Sequence, residues 1–394
     1  MTEPILVGVP STDDRAAIGR ALIASGISGS DLEMEPDLEA GADATLTADL
    51  AIPFPAGLGP VPRPPVAGPA TDAPLPHADV LLVTWTVAEQ NAMADVLTPG
   101  YGRNTWYRYD RNFAKFKPRI RSRAPAAIAQ RLGSWFPITI GPKSVICFKS
   151  ELHLNQDSIP TGDGTATLPV ADLFRQLIAE VMPKVVLTVG TSGATFPDHD
   201  LGDVVVTRGA KFRLADEFRN ETFAQASYRS DWEIPTTHFA AAETLMAGYA
   251  RHLVEPPLAP PTKHYPFPTP TISRDGPNTP DIKLDGRDMP AFHPILTTDF
   301  FEFGTSANGL EKQGCAVEMG DAVLGLVAKE MPAPPHWAAV RNLSDPQINA
   351  DLPTGPGPLN MQTHWAVWYY EAFGYWTSVT GALATWAIVA GLKD

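Results

Sequence analysis

The sequence predicts an α/β fold, a three-layer domain in which helices flank a central mixed β-sheet. Three short runs rich in β-branched and other apolar residues, at 80–84, 144–150 and 185–189, have the length and composition of buried strands. Residues 170–181 have the apolar spacing of an amphipathic helix that leads into the third run. Alternation of strand, helix and strand indicates a right-handed crossover in a mostly parallel or mixed sheet.

The chain before this domain, residues 1–78, has a different composition. Residues 15–25 predict one short helix, and residues 51–76 are rich in Pro, Ala and Gly, which is typical of an extended, partly polyproline arm or linker. We expect this arm to pack on the domain or on a neighbouring subunit rather than to form a separate functional module. The domain itself is expected to span 79–394.

Two parts of the domain, at about 100–142 and 209–290, are expected to be insertions. The first is rich in arginine and aromatic residues. It is consistent with an anion site, although in an acidic protein a solvated insertion or a subunit contact is favoured. The second contains a helical pattern over 239–252 and a long Pro-rich stretch, and we expect it to wrap or cover the domain.

Composition excludes several classes of partner. The net charge of −14 argues against a nucleic-acid backbone as the ligand. Cys147 and Cys315 are far apart in apolar runs, which predicts two buried thiols in a reducing compartment. No secretory signal is visible, so a cytoplasmic location is expected. The uncharged run 374–392 has the length of a membrane span, but its Thr and Ser residues favour a buried C-terminal helix, and no membrane partner is expected.

The strongest candidate for a site follows the strand at 185–189. Gly190, Thr191, Ser192 and Gly193 interrupt the apolar run, and a further strand is predicted at 204–207. We expect a turn here, with small hydroxyls and backbone N–H groups at the carboxyl end of a strand. That end is where open α/β sheets bind ligands.

Three acidic residues stand at the ends of apolar runs. Glu89 follows the first strand, Glu318 lies in CAVEMGDAV, and Asp345 closes AAVRNLSD. Each one alone is also consistent with a helix cap or a satisfied buried carboxylate, and Asp345, before Pro346, is a plausible N-cap. A sheet would present all three at one rim.

Five segments, in this order, resemble the nucleoside phosphorylase and nucleosidase superfamily. They are LVTWTVAEQNAM, GTSGA, TTDFFEF, VEMGDA and VRNLSD. The resemblance covers most of residues 79–394 and is closest to the methylthioadenosine/S-adenosylhomocysteine nucleosidase branch. It implies hydrolysis of the N-glycosidic bond of a purine nucleoside, without a cofactor or a metal, by a homodimer or a higher homo-oligomer.

The resemblance also assigns residues. It places Asp345 on the general acid that protonates the leaving base and Glu89 on the group that activates water, an arrangement that parallels inverting glycosidases. It further implies a set of residues that bind the substrate: Thr191, Ser192 and Gly193 on the ribose side, Phe301 stacked on the base, and Glu318, Met319 and Asp321 along the sugar.

One departure and two alternatives remain open. The family has a ribose-binding glutamate directly after the methionine, where this chain has Gly320. Four alternatives follow from this departure: Asp321 takes its place, Glu318 takes its place, the sugar is not an ordinary ribose, or activity is lost. A phosphorylase would need arginines to hold phosphate, but Thr188 stands at one such position, unless a residue from 103–123 of a neighbouring subunit supplies the charge. The other alternative is a non-catalytic nucleoside-binding module of the same fold.

Overall fold

The computed structural model describes residues 50–255, 279–285, 293–354 and 360–393. In these ranges thirteen strands form one mixed sheet with helices against it, so the predicted fold class is confirmed. The helix predicted at 15–25 and most of the Pro-rich stretch after residue 254 lie outside the described residues.

The strands of the described residues are β1 (Pro60–Pro62), β2 (Val80–Thr84), β3 (Tyr107–Tyr109), β4 (Gly133–Ile140), β5 (Lys143–Ser150), β6 (Val185–Ala194), β7 (Val204–Thr207), β8 (Gly209–Phe212), β9 (Ser227–Arg229), β10 (Ile282–Leu284), β11 (Ile295–Thr297), β12 (Ala316–Glu318) and β13 (His336–Asp345). Their α-helices are α1 (Val87–Leu97), α2 (Phe113–Phe116), α3 (Pro125–Ala129), α4 (Pro169–Val181), α5 (Phe239–Ala247), α6 (Asp321–Glu330) and α7 (Met361–Ala390).

Four parallel strands form the middle of the sheet in the order β5, β2, β6 and β13. Because neighbouring strands run the same way, their carboxyl ends meet at one rim of the sheet. The predicted strand at 204–207 is β7, which pairs antiparallel with β13. The other edge of β6, near its end, pairs antiparallel with β12. The rim therefore collects the ends of segments that lie far apart in the chain.

The central strands are buried on both faces, which explains their unbroken apolar runs. In β2, Leu81 and Val83 face a cluster that contains α4 and α6, whereas Val80 and Leu82 face a cluster that contains α1, α5 and α7. The two clusters and the sheet between them make the three layers.

The predicted turn at 190–193 is wrong, because β6 continues without a break to Ala194. Its second half pairs with β13, Gly190 opposite Arg341 and Thr191 opposite Asn342, and these ladder hydrogen bonds hold the glycines extended. The glycines serve a close approach of side chains instead. A β-carbon at Gly190 would clash with the side chains of both Arg341 and Glu89.

The uncharged run near the C-terminus is a buried helix, as predicted, and forms the second half of α7. Two of its threonines are satisfied within the protein: Thr380 donates to the Gly202 carbonyl at 2.7 Å, and Thr385 donates to the Gly381 carbonyl at 2.8 Å. Along the described parts of the chain, no helix combines the length and the apolar character that a membrane crossing requires.

The described part of the arm packs on the domain. β1 pairs antiparallel with β4, and the Phe54 ring lies against Trp386 of α7, with ring centroids 5.0 Å apart. Within the first predicted insertion, β3 and β4 are strands of the sheet. Three of its arginines pair with acidic residues elsewhere in the chain, Arg111 with Glu180 among them. Both cysteines are buried free thiols, as predicted.

Candidate functional site

A cavity opens at the carboxyl rim of the four central strands, between α1 and the first turns of α7. Eight of the nine predicted site residues line it: Glu89, Thr191, Ser192, Gly193, Phe301, Glu318, Met319 and Asp345. Asp321 does not. The lining also includes residues that the sequence interpretation did not assign: Trp85, Thr86, His153, Asn155, Glu302, Val317, Gly320, Arg341, Ser344, Ala366, Val367 and Tyr370.

Glu89 has two roles in the structure. It is the third residue of α1, and it forms a capping box with Thr86, so the helix-cap interpretation is correct. Its Oε2 accepts from Thr84 Oγ1 at 2.7 Å and from the backbone N–H groups of Trp85 and Thr86. Its Oε1 accepts from the Thr191 N–H at 2.7 Å and from the Thr191 hydroxyl at 3.0 Å. The cap thus fixes a carboxylate against β6 at the cavity wall.

Glu89 is held as an anion. Burial would raise its pKa, but Arg341 and the backbone N–H groups of Thr86, Thr191 and Trp85 outweigh burial, and the pKa lies below its usual range. A carboxylate with this many donors orients a neighbour and supplies negative charge. It accepts a proton reluctantly.

The pKa of Asp345 is shifted in the opposite direction from that of Glu89. It ends β13, and burial raises its pKa to about 7, opposed only in part by the Ser344 hydroxyl that donates to Oδ1 at 3.0 Å. Because it closes a strand, Asp345 is not the N-cap that Pro346 suggested. A β-carbon at Gly193 would lie 2.8 Å from Asp345 Oδ2, so the glycine makes room for this carboxyl group. At neutral pH a large fraction of Asp345 carries a proton.

Arg341 is a buried cation that links three carboxylates. Its Nε donates to Asp321 Oδ2 at 2.8 Å, and its Nη2 lies 3.1 Å from Glu318 Oε2. Its Nη1 lies 3.9 Å from Glu89 Oε1. The sequence carried a signal for Arg341, because this arginine follows the apolar residues AAV in a strand-like run. However, neither the hydrophobic periodicity nor the spacing of residues along the chain shows which groups a buried guanidinium contacts.

The carboxylates beside Arg341 are largely occupied. Asp321 receives two hydrogen bonds from the guanidinium and lies behind the cavity wall. Glu318 accepts from the N–H groups of Gly320 and Asp321 and from the Thr297 hydroxyl. Burial and the charge of Asp321 outweigh Arg341 and raise the pKa of Glu318 to about 8.

Trp85 occupies the wall above Gly320. A β-carbon on Gly320 would lie 3.3 to 3.6 Å from three atoms of the indole ring. The same ring lies over the Arg341 guanidinium, 5.0 Å from its centre, a geometry typical of a cation–π contact. Its Nε1 donates to the Leu152 carbonyl at 3.1 Å, which ties it to the loop after β5.

The apolar part of the cavity comes from Phe301, Met319 and Val317 together with Ala366 and Val367 of α7. Phe301 and Met319 are half-buried, as side chains that contact a ligand would be. Throughout the described ranges, no group of three or more His, Cys, Asp and Glu side chains is placed to hold a metal ion.

Comparison with known proteins gives structural likeness only. No protein-family model matches the chain, and no curated protein matches it. The chain is similar to the solved futalosine hydrolase of Helicobacter pylori, with 12% identity, a TM-score of 0.43 and coverage of 79% of this chain and 97% of that one. It is also similar to the 5′-methylthioadenosine/S-adenosylhomocysteine nucleosidase of the same organism, with 12% identity, a TM-score of 0.44 and coverage of 80% and 99%.

A third solved structure is that of an S-adenosylhomocysteine nucleosidase from Streptococcus pyogenes, with 12% identity, a TM-score of 0.44 and coverage of 81% and 99%. These structures include nucleosidases of the branch that the sequence motifs resemble.

Proposed function

We propose that this protein hydrolyses the N-glycosidic bond of a purine nucleoside, with Asp345 as the general acid and Glu89 holding the attacking water. The observation that carries the proposal is the pair of carboxyl groups in one cavity with opposite proton affinities. Burial raises the pKa of Asp345 to about 7, while Glu89 stays ionised. Two titratable groups whose environments separate their pKa values are the usual mark of an acid and its partner.

Asp345 suits the departure of the base. A purine leaves as a neutral molecule only if a proton reaches its ring nitrogen as the bond to the sugar breaks. The proton on Asp345 is available near neutral pH and is shielded from water by burial. Phe301 lines the same cavity and offers an aromatic face to the base.

Glu89 suits the sugar side. Glu89 accepts from Thr191 of β6, and Asp345 pairs with Gly193, two residues further along the same strand, about 7 Å at about 3.3 Å per residue. In the proposed complex the sugar and the water lie between these two carboxyl groups. The fixed charge of Glu89 stabilises the cationic sugar of the transition state and orients the water, whose oxygen bonds to the anomeric carbon while one of its protons leaves to solvent. The departing base keeps the proton from Asp345.

Water is favoured over phosphate as the nucleophile by the charges of the cavity. Glu89 is an anion in the cavity lining, and the Arg341 guanidinium is engaged by carboxylates. No lysine and no other arginine are among the described residues that line the cavity. A phosphate dianion would therefore meet the negative charge of Glu89 without a lysine or an unengaged arginine to pair with.

The experiment compares wild type with Asp345→Asn and Glu89→Gln on a panel of purine nucleosides, with release of free base as the readout. Each substitution should lower the rate by roughly 10²- to 10⁴-fold. Nucleoside affinity, measured by calorimetry, should change little for Asp345→Asn because the loss lies in the transition state.

Matched controls are Asp351→Asn and Glu233→Gln, which change exposed acids outside the cavity lining. Both should cleave at the wild-type rate. If wild type binds nucleosides but releases no base from any of them, the protein is a binding module and the catalytic assignment is wrong. If Asp345→Asn retains full activity, another group is the acid.

A further inference from the structure

On the sugar wall of the cavity, the two candidate carboxylates for the sugar hydroxyls are already engaged by protein groups. Asp321 is held by Arg341 behind the wall, and Glu318 accepts from two backbone N–H groups, a hydroxyl and Arg341. Gly320 has no side chain, and Trp85 packs over it. Of the two residues expected to replace the missing sugar glutamate, Asp321 does not line the cavity, and Glu318 already accepts from four protein groups.

A different element reaches the cavity at its sugar end. The loop after β5 places His153 and Asn155 in the cavity lining. In the strand order β5, β2, β6 and β13, this loop follows β5 at one end, Asp345 closes β13 at the other, and the carboxylate of Glu89 contacts β6 between them. In the proposed complex the base contacts Asp345 and the N-glycosidic bond lies above Glu89. The side of the sugar that is remote from the base then points toward His153.

His153 is held firmly in place by Asp157, which is fully buried. Asp157 Oδ2 accepts from the backbone N–H of His153 at 2.8 Å and lies 3.3 Å from its Nδ1. Since a carboxylate only accepts, Nδ1 is the donor, and the ring orientation follows. Asp157 Oδ1 accepts from the Ala126 N–H at 3.3 Å, so the first insertion supports the histidine.

We propose that His153, oriented by Asp157, recognises a hydroxyl group of the substrate's sugar and so takes over the specificity role for which Gly320 and the Arg341-bound Asp321 are unsuited. This inference rests on the proposed function, because it uses the base and sugar positions assigned there. His153 and the ligand would be in direct contact, whereas Asp157 is a positioning residue.

The test measures affinities by calorimetry with uncleavable ligands, the C-nucleoside analogue of adenosine and its 2′-, 3′- and 5′-deoxy forms, and with adenine alone. Wild type should bind the full ribose form roughly tenfold more tightly than one deoxy form. His153→Phe keeps an aromatic ring without ring nitrogens, and both oxygens of Asp157 retain a backbone donor. This variant should lose that tenfold preference and bind adenine unchanged.

Two further variants separate positioning from contact. Asp157→Asn should reduce the preference in the same direction, and Asp321→Asn should weaken all sugar forms by one common factor. The exposed His77→Gln is the matched control and should behave as wild type.

The inference is overturned if His153→Phe keeps the wild-type preference, or if it weakens adenine as much as the nucleosides. The outcomes separate this inference from the proposed function. If the protein hydrolyses nucleosides but its preference between ribose and deoxy forms does not depend on His153, only the inference is refuted. A His153-dependent preference for the C-nucleosides in a protein that releases no base from any nucleoside refutes only the hydrolysis.

Discussion

Asp345→Asn should stabilise the protein at neutral and alkaline pH while it removes activity. The side chain is 7% exposed, and burial raises its pKa from the usual 3.8 to about 7. The folded state therefore holds the proton more tightly than the unfolded state does. The stability that depends on this proton is complete below about pH 4 and is lost as the pH rises through 7. Asparagine does not titrate, so it removes that loss.

The magnitude follows from the shift. A difference of about 3 pKa units corresponds to about 4 kcal/mol at 1.36 kcal/mol per unit, which is an upper value because water entering the open cavity would reduce it. Changes of packing and hydrogen bonding on substitution do not depend on pH. The pH dependence of the difference between variant and wild type therefore isolates the ionisation.

The assay is urea unfolding of both proteins at pH 4 and pH 8. The stability of Asp345→Asn relative to wild type should be higher at pH 8 than at pH 4 by up to about 4 kcal/mol. The exposed Asp351→Asn should show no such change. If the relative stability of Asp345→Asn is the same at both pH values, Asp345 ionises freely in the folded protein, and its assignment as a neutral-pH acid is refuted.

Two other predictions concern rate and packing. The rate of base release should fall about tenfold per pH unit above pH 7, because Asp345 loses its proton there. It should stay level down to below pH 4.5, because Glu89 remains ionised in that range. A rate that is flat between pH 7 and 9 would exclude Asp345 as the acid. Gly190→Ala should destabilise the protein by about 1–3 kcal/mol or more, because the new β-carbon clashes with Glu89 and Arg341. The control Gly102→Ala, at an exposed glycine, should change the free energy of unfolding by less than about 0.5 kcal/mol in the same urea titration.

The sequence predicted those features that depend on local pattern. Buried strands show as apolar runs, so β2, β5 and β6 were placed within a few residues, and the ordered motifs identified eight residues of one cavity. The extension of β6 through Gly190 was missed because glycines in isolation indicate a turn. Only pairing with β13, which lies some 150 residues later, holds them extended.

The details that decide chemistry were beyond local pattern. Whether Asp321 contacts the ligand or the Arg341 guanidinium depends on where the fold places Arg341, which lies on a different element of the chain. In the structure the two side chains are hydrogen-bonded to each other. His153 lies in a loop without an apolar period, and its contact with the cavity depends on Asp157 and on support from the first insertion. Such contacts join elements that are separated by strands and helices, so spacing along the chain does not reveal them.

The most direct test of the central claim follows the fate of the sugar. The protein is incubated with the purine nucleosides in ¹⁸O-labelled water, with and without phosphate, and the released sugar is analysed by mass spectrometry. Hydrolysis predicts free base, one ¹⁸O atom at the anomeric carbon, and a rate that phosphate does not raise. Release of base only when phosphate is present, with a sugar phosphate as the product, would contradict the account.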